Sequence, residues 1–121
     1  MKQLEAWALL PPSVRRKAKL VVAGAVRHAD DQRILDALKR RASGMDGVEF
    51  LVSAPRHEIL ALLSSASIGL HTMKLEHFGI AVVEFMAAGL VVVAHASGGP
   101  LLDIVGEGGD RGFVEIGRAH V

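Results

Sequence analysis

The sequence predicts an α/β fold, a doubly wound parallel sheet with helices on both faces. Three observations predict it. Runs that are apolar almost throughout recur at Lys19–Gly24, Val48–Val52, Ser67–His71 and Leu90–Ala94. Segments with helical spacing separate them, and glycines or prolines mark the changes of period. Strands without polar alternation must be buried on both faces, which calls for parallel strands joined by crossover helices. Such crossovers are almost always right-handed, which leaves a Rossmann-like arrangement as the expected topology.

Each element has its own justification. Residues 1–18 read as a helical amino-terminal segment interrupted by Pro11-Pro12. Lys19–Gly24 is a buried strand stopped by glycine. Asp30 offers an N-cap, and Ile34, Leu35 and Leu38 recur at helical spacing as far as Arg41. Gly44 and Gly47 precede the second strand, Val48–Val52. Pro55 opens a turn into a helix whose apolar face is Ile59, Leu60, Leu62 and Leu63. Ser67–His71 is the third strand. A helix over Ile80–Ala88 ends at Gly89, which suits a left-handed C′ position. Leu90–Ala94 is the fourth strand, Ser97–Pro100 a turn, Leu101–Val105 a short helix, and Gly112–Val114 the start of a fifth strand.

Composition narrows the function classes. With 121 residues, half of them hydrophobic and 22% charged, the chain can form one small core. The formal net charge of +1 gives no general attraction to nucleic acid or anionic lipid. Arg15-Arg16-Lys17 and Lys39-Arg40-Arg41 read as solvated faces. The absence of cysteine excludes disulfides and thiolate metal sites. Ala6–Leu10 is too short for a signal peptide core. Phe78–Ala94 holds one charged side chain, Glu84, in seventeen residues. Gly89 divides it into an Ala/Met-rich half and a Val-rich half, so a buried helix turning into a buried strand explains it better than a membrane span. There is no Gly-x-Gly-x-x-Gly after the first strand, where Gly24-Ala25-Val26-Arg27 stands, and no Walker-type loop.

The strongest chemical signal is Glu76-His77-Phe78-Gly79-Ile80-Ala81-Val82-Val83-Glu84, two glutamates with seven residues between them. Glu76 falls in the loop after the third strand and Glu84 one turn inside the next helix. In open parallel sheets ligands bind beyond the carboxyl ends of the strands, where this loop emerges. The amides of Phe78, Gly79 and Ile80 would face an anion such as a diphosphate at the helix start. The two carboxylates should lie on the order of 10 Å apart, too far for the ~5 Å pair of a retaining glycosidase. That separation suits gripping two hydroxyl-bearing rings with a diphosphate between them. Spacing alone leaves open that Glu84 is a plain helix residue and Glu76 a surface loop residue. Glu84, however, lies among Val82, Val83, Phe85 and Met86, where a carboxylate needs a partner.

This stretch, with Ile68–Met73, Val83–Gly89 and Ala94–Val105, resembles the retaining GT-B glycosyltransferases of the Glu-x7-Glu type. It resembles most the mannosyltransferase branch that extends dolichol-linked oligosaccharide for N-glycosylation. The likeness covers about Lys19 to Phe113. It implies transfer of mannose from GDP-mannose to a lipid-linked glycan with retention of the α configuration. It further implies a cytosolic-face endoplasmic reticulum setting, no nucleic-acid partner, no cofactor and no metal. By this resemblance Glu76 orients the donor hexose and Glu84 binds the ribose hydroxyls. His77, Phe78, Gly79 and Ile80 lie near sugar and diphosphate, and Ser97, Gly98 and Gly99 line the phosphate site. Arg27 and Lys74 are the nearest cations for the leaving diphosphate, although both also read as ordinary surface charges. Val52 and Ser53, at the second strand's end, are candidates to read the base, a choice the sequence does not disclose.

The resemblance divides the chain into an amino-terminal segment (1–18), an incomplete nucleotide-sugar-binding domain (19–114) and an atypical tail (115–121). The acceptor-binding half of such enzymes and their diphosphate-neutralising Arg and Lys would lie upstream. An isolated chain of this kind is expected to be inert and of low stability. A non-catalytic nucleotide-sugar-binding or interaction module, or a GT-B enzyme using another donor such as UDP-glucose, are the competing readings.

Overall fold

The computed structural model describes residues 1–73 and 79–95, and the backbone of 113–115. Its elements are α1 (Lys2–Leu9), α2 (Pro12–Arg15), β1 (Leu20–Gly24), α3 (Ala29–Ala42), β2 (Val48–Val52), α4 (Arg56–Ser65), β3 (Ile68–His71), α5 (Ile80–Ala87), β4 (Val91–His95) and β5 (Phe113–Glu115). The described strands pair in parallel throughout, in a two-stranded sheet β1-β2 and a three-stranded sheet β3-β4-β5. The alternation of parallel strands and helices is the Rossmann-like α/β pattern expected. Two compact units result, Met1–Glu58 and Ile59–Val121.

In the first unit, β1 and β2 run in register from Leu20 opposite Val48 to Gly24 opposite Val52. The amino-terminal segment is helical in two pieces. Leu10 is extended, and Pro12 stands at the first position of α2, where its missing N–H costs nothing. Leu4 and Trp7 are the buried side of α1, and the Trp7 indole N–H donates to the Asp46 carbonyl at 2.8 Å. Helix α3 starts two residues earlier than an Asp30 N-cap would place it. His28 occupies the cap position in extended conformation, and Asp30 and Asp31 lie in the first turn. From there the Asp31 carboxylate accepts the Arg27 amide at 2.9 Å, so it fixes the helix entry from inside the helix, as a capping-box acid does.

In the second unit, β3 pairs with β4 from Ile68 opposite Val91 to His71 opposite Ala94, and β4 pairs with β5 from Val93 opposite Phe113. Helix α5 lays Val82, Phe85 and Met86, spaced at three and four residues, onto Val92 and Ala94. Phe85 lies so close over Gly69 that a β-carbon there would meet its ring at 2.4 Å. The carboxyl end of α5 is a complete Schellman motif: Gly89 (φ +80) donates to the Met86 carbonyl and Leu90 to the Phe85 carbonyl, both at 3.0 Å. Leu90 is buried, as this motif's apolar contact requires. The long apolar run is thus a helix of eight residues followed by a strand. Among the described residues no helix is long and apolar enough to cross a membrane. Strand β4 extends to His95, one residue past the expected end. The expected turn at Ser97–Pro100 and helix at Leu101–Val105 lie outside the described residues.

Candidate functional site

A helix joining two parallel strands runs antiparallel to them, so α5 begins at the edge where β3 and β4 end, in His71 and His95. Gly79 is its cap residue, buried and left-handed (φ 96, ψ 60), a conformation an L side chain would strain. Its carbonyl takes the first two helical bonds, from Val82 at 3.0 Å and Val83 at 3.3 Å. The amides of Ile80 and Ala81 precede those bonds, so the helix cannot satisfy them itself. The cap residue, a glycine, has no side chain to bond them, and no acidic or basic residue occupies the first turn. The positive end of the helix dipole is therefore uncompensated by the helix's own side chains.

Glu84 stands four residues into α5, on the stripe of Ile80 and roughly 160° around the helix from the buried Val82. It thus points away from the sheet. Side chains on a helix lean toward its amino terminus, so the Glu84 carboxylate reaches back along the ~6 Å that separate it from Ile80. It is half-buried, and Ile80 is 67% exposed. Gly79, Ile80 and Glu84 are therefore gathered at the start of one short helix. Glu76, His77, Phe78, Ser97, Gly98 and Gly99, and the cation Lys74, lie outside the described residues.

Arg27 belongs to the first unit, three residues beyond the end of β1. Its side chain is exposed, and its amide is the group held by Asp31. The carboxyl edge of β1 and β2 is built around Ser53, a non-glycine residue with φ 49. The Ser53 amide donates to the Gly24 carbonyl at 2.8 Å, and its hydroxyl accepts the Val26 amide at 3.0 Å. Strain of this sort persists where the surroundings over-determine it, and it clusters at ligand sites. Val22, Gly24, Asp31, Ile34, Phe50 and Val52 are among the residues lining a cavity of about 170 Å³ beside this edge. That is smaller than the ~300 Å³ or more of a typical small-molecule site, so by itself it cannot enclose a nucleotide-sugar.

Two features were underweighted by sequence reasoning. Ser53 is a sequence candidate to read the base, but nothing in the residue type signals its positive φ. His95 is a strand residue, 4% exposed, rather than part of the following loop. Its signal was its place directly after an apolar run. No group of three or more His, Cys, Asp or Glu among the described residues is arranged to hold a metal ion.

The parallel βαβ order places the chain in the Rossmann-like α/β class, and the comparisons give its family. Residues 2–120 match the family Glycosyl transferases group 1, and the chain belongs to it. It is 48% identical over 109 residues to the human GDP-Man:Man(3)GlcNAc(2)-PP-Dol alpha-1,2-mannosyltransferase, covering 86% of this chain and 21% of that one. The Xenopus laevis protein of the same name is 50% identical over 92 residues, 75% of this chain and 19% of the relative. The Candida albicans one is 47% identical over 90 residues, 72% and 15%. The chain thus spans about a fifth of the length of the first two relatives. Among solved structures it resembles Anabaena HepE in complex with UDP, with a TM-score of 0.73 and 26% identity over 92% of this chain and 29% of that one. The resemblance read from the Glu-x7-Glu region is therefore borne out at the level of family and of named relatives.

Proposed function

We propose that this chain is the donor-binding part of a retaining mannosyltransferase that moves mannose from GDP-mannose to a lipid-linked oligosaccharide. The carrying observation is the start of α5: first-turn amides that the helix cannot bond itself, no first-turn charge, and Glu84 leaning back toward them. The names of the relatives support the donor and the acceptor class. In this reading the amides from His77 to Ile80 receive the diphosphate, Glu84 takes the ribose hydroxyls, and Glu76 holds the hexose. Ser97, Gly98 and Gly99 line the phosphates, and Arg27 offers a cation to them. The bond from the anomeric carbon to the diphosphate breaks, and GDP leaves with its charge held by amides and cation. The new bond forms to an acceptor hydroxyl on the same face of the sugar. The acceptor site belongs to the rest of a full-length enzyme, working at the cytosolic face of the endoplasmic reticulum membrane. Residues 19–114 would form the heart of the donor domain, and the family match continues on both sides of them, over residues 2–120.

A second donor has one observation in its favour, since the HepE structure was solved with UDP. An amide NMR titration separates the two. GDP-mannose should shift the resonances of Gly79–Glu84 selectively, and Glu84→Ala should weaken binding about tenfold, as expected for loss of a hydrogen bond to a charged group. Equal or larger shifts with UDP-glucose would transfer the assignment to a uridine donor. A dispersed spectrum moved by neither ligand would refute donor binding and leave an interaction module.

A further inference from the structure

The first unit collects positive charge at the amino end of its sheet. Helix α3 runs against β1 and β2, so its last turn, Lys39-Arg40-Arg41, lies where the strands begin. The loop that follows is seated on the segment preceding β1. The Leu20 amide donates to the Gly47 carbonyl at 2.8 Å. A β-carbon built on Gly47 would come within 3.3 Å of the Ala18 carbonyl oxygen and 3.7 Å of the Arg15 one. Arg15, Arg16, Lys17 and Lys19 therefore share one end of the unit with Lys39, Arg40 and Arg41. Seven of the chain's fourteen Lys and Arg residues stand there. The carboxylates at that end are Asp46 and Glu49, with Glu5 on the docked α1, whose Lys2 offsets it. Glu49 pairs with Lys19 at 3.3 Å. The acids of α3, Asp30 and Asp31, lie at its opposite end. A net charge of +1 thus conceals a strongly polarised unit.

Complementarity to the helix dipole accounts for Lys39–Arg41. It does not account for Arg15-Arg16-Lys17, which end a helix of only four residues. Apolar side chains are exposed beside them: Leu9 is 86% and Val14 43% accessible, flanking the exposed Pro11 and Pro12. The nearby aromatic ring, Trp7, is buried and tied to Asp46. Cations interleaved with exposed aliphatics fit a lipid head-group layer. Single-stranded nucleic acid would instead ask for exposed rings on which bases stack.

We propose that this edge, Arg16–Lys19 and Lys39–Arg41 with Leu9 and Val14, is a membrane-surface contact that receives anionic phospholipid head groups. It stands on charge and exposure alone and is independent of donor binding.

Vesicle flotation of the full chain tests it, with phosphatidylcholine alone against phosphatidylcholine containing roughly one-third phosphatidylserine. Binding should require phosphatidylserine, and it should fall steeply between about 0.05 M and about 0.5 M salt as screening shortens. Each surface cation is worth about fivefold in such binding, so Arg40→Ala with Arg41→Ala should lose about 25-fold. Arg16→Ala with Lys17→Ala should do the same, which covers the case in which the first pair disturbs α3. Leu9→Ser should weaken binding without altering the salt dependence. Arg33→Ala, which removes only the ion pair with Asp30 at the other end of α3, should leave binding unchanged. The proposal is overturned by equal binding to the two vesicle types, by no binding at low salt, by indifference to both double substitutions, or by tighter binding to an oligouridylate than to phosphatidylserine vesicles.

Discussion

Gly69→Ala should be among the most damaging single-methyl additions in this chain. The new β-carbon would lie 2.4 Å from both Cγ and Cδ2 of Phe85 and 3.0 Å from its Cβ. Carbon atoms settle at ~3.5–4.0 Å, so a gap of about 1 Å must open. Rotation of the Phe85 ring about χ2 cannot open it, because Cβ and Cγ do not move in that rotation. Either χ1 leaves its well or α5 lifts from the sheet. Overpacking costs about 1–3 kcal/mol, and a rearrangement that moves a helix belongs in the upper half, about 2–3. The same helix packs Val82 and Met86 on Val92 and Ala94, so lifting it loosens the core of the second unit.

Urea unfolding followed by far-UV circular dichroism reads the effect. With m near 1.5 kcal/mol/M, the midpoint should fall by about 1.5 M at unchanged m. The double substitution with Phe85→Ala isolates the clash. Removing the ring should relieve Gly69→Ala, giving a coupling of about 1.5 kcal/mol or more between the two sites. Since Gly79, Ile80 and Glu84 ride on α5, Gly69→Ala should also weaken GDP-mannose binding under conditions where the chain stays folded. A loss of stability below about 0.5 kcal/mol, or strict additivity with Phe85→Ala, would refute the packing argument.

Three further outcomes are expected. Trp7→Phe loses the bond to the Asp46 carbonyl and part of a buried ring system, so it should cost about 2–3 kcal/mol in urea unfolding; an unchanged midpoint would show that neither the bond nor the packing contributes net stability. Ser53→Ala should cost about 1 kcal/mol through the lost acceptor for the Val26 amide, whereas Ser53→Gly loses the same bond and regains about 1 kcal/mol at φ 49, so glycine should be the more stable variant. The reverse order would reject strain at this residue. The chain leaves Ile34, Ile68, Val91 and other large apolar side chains exposed, so it should melt below about 65 °C; a cooperative transition well above that temperature would contradict low stability.

What was legible in the sequence followed local rules. All-apolar runs gave the four main strands, and a glycine after a helical run gave the Schellman end of α5 at Gly89. What was not legible depends on distant groups. The conformation of Ser53 is set by Gly24 and Val26, more than twenty residues earlier, which no propensity encodes. The start of α3 is decided by an Asp31 contact to the Arg27 amide, and Asp30 looked equally suited to cap it. Arg27 was sought for its cation, yet its amide is the group the structure holds. For the site, Glu84 was placed correctly inside a helix. Its outward direction required knowing that Val82, Phe85 and Met86 face the sheet.

That direction bears on where the chain can accept an anion. Helices α3 and α5 both begin at the carboxyl edge of the sheet in their own unit. The first turn of α3 carries Asp30 and Asp31, each opposing an incoming anion by about 0.3–1 kcal/mol or more where partly buried. The first turn of α5 carries no charged residue, and its cap is a glycine without a side chain. On charge alone, the first turn of α5 suits the diphosphate of the proposed donor better than that of α3 does. The dipole effect fades within the first turn, and Glu84 lies just beyond it. A carboxylate at Ala81 or Val82 would compete with the phosphates for the free amides. In the proposed donor complex, a carboxylate at residue 84 would leave those amides to the anion and lean back toward a hydroxyl-bearing ring attached to it. Under the proposed donor binding, the spacing of this carboxylate from the helix start would meet two demands on one helix end.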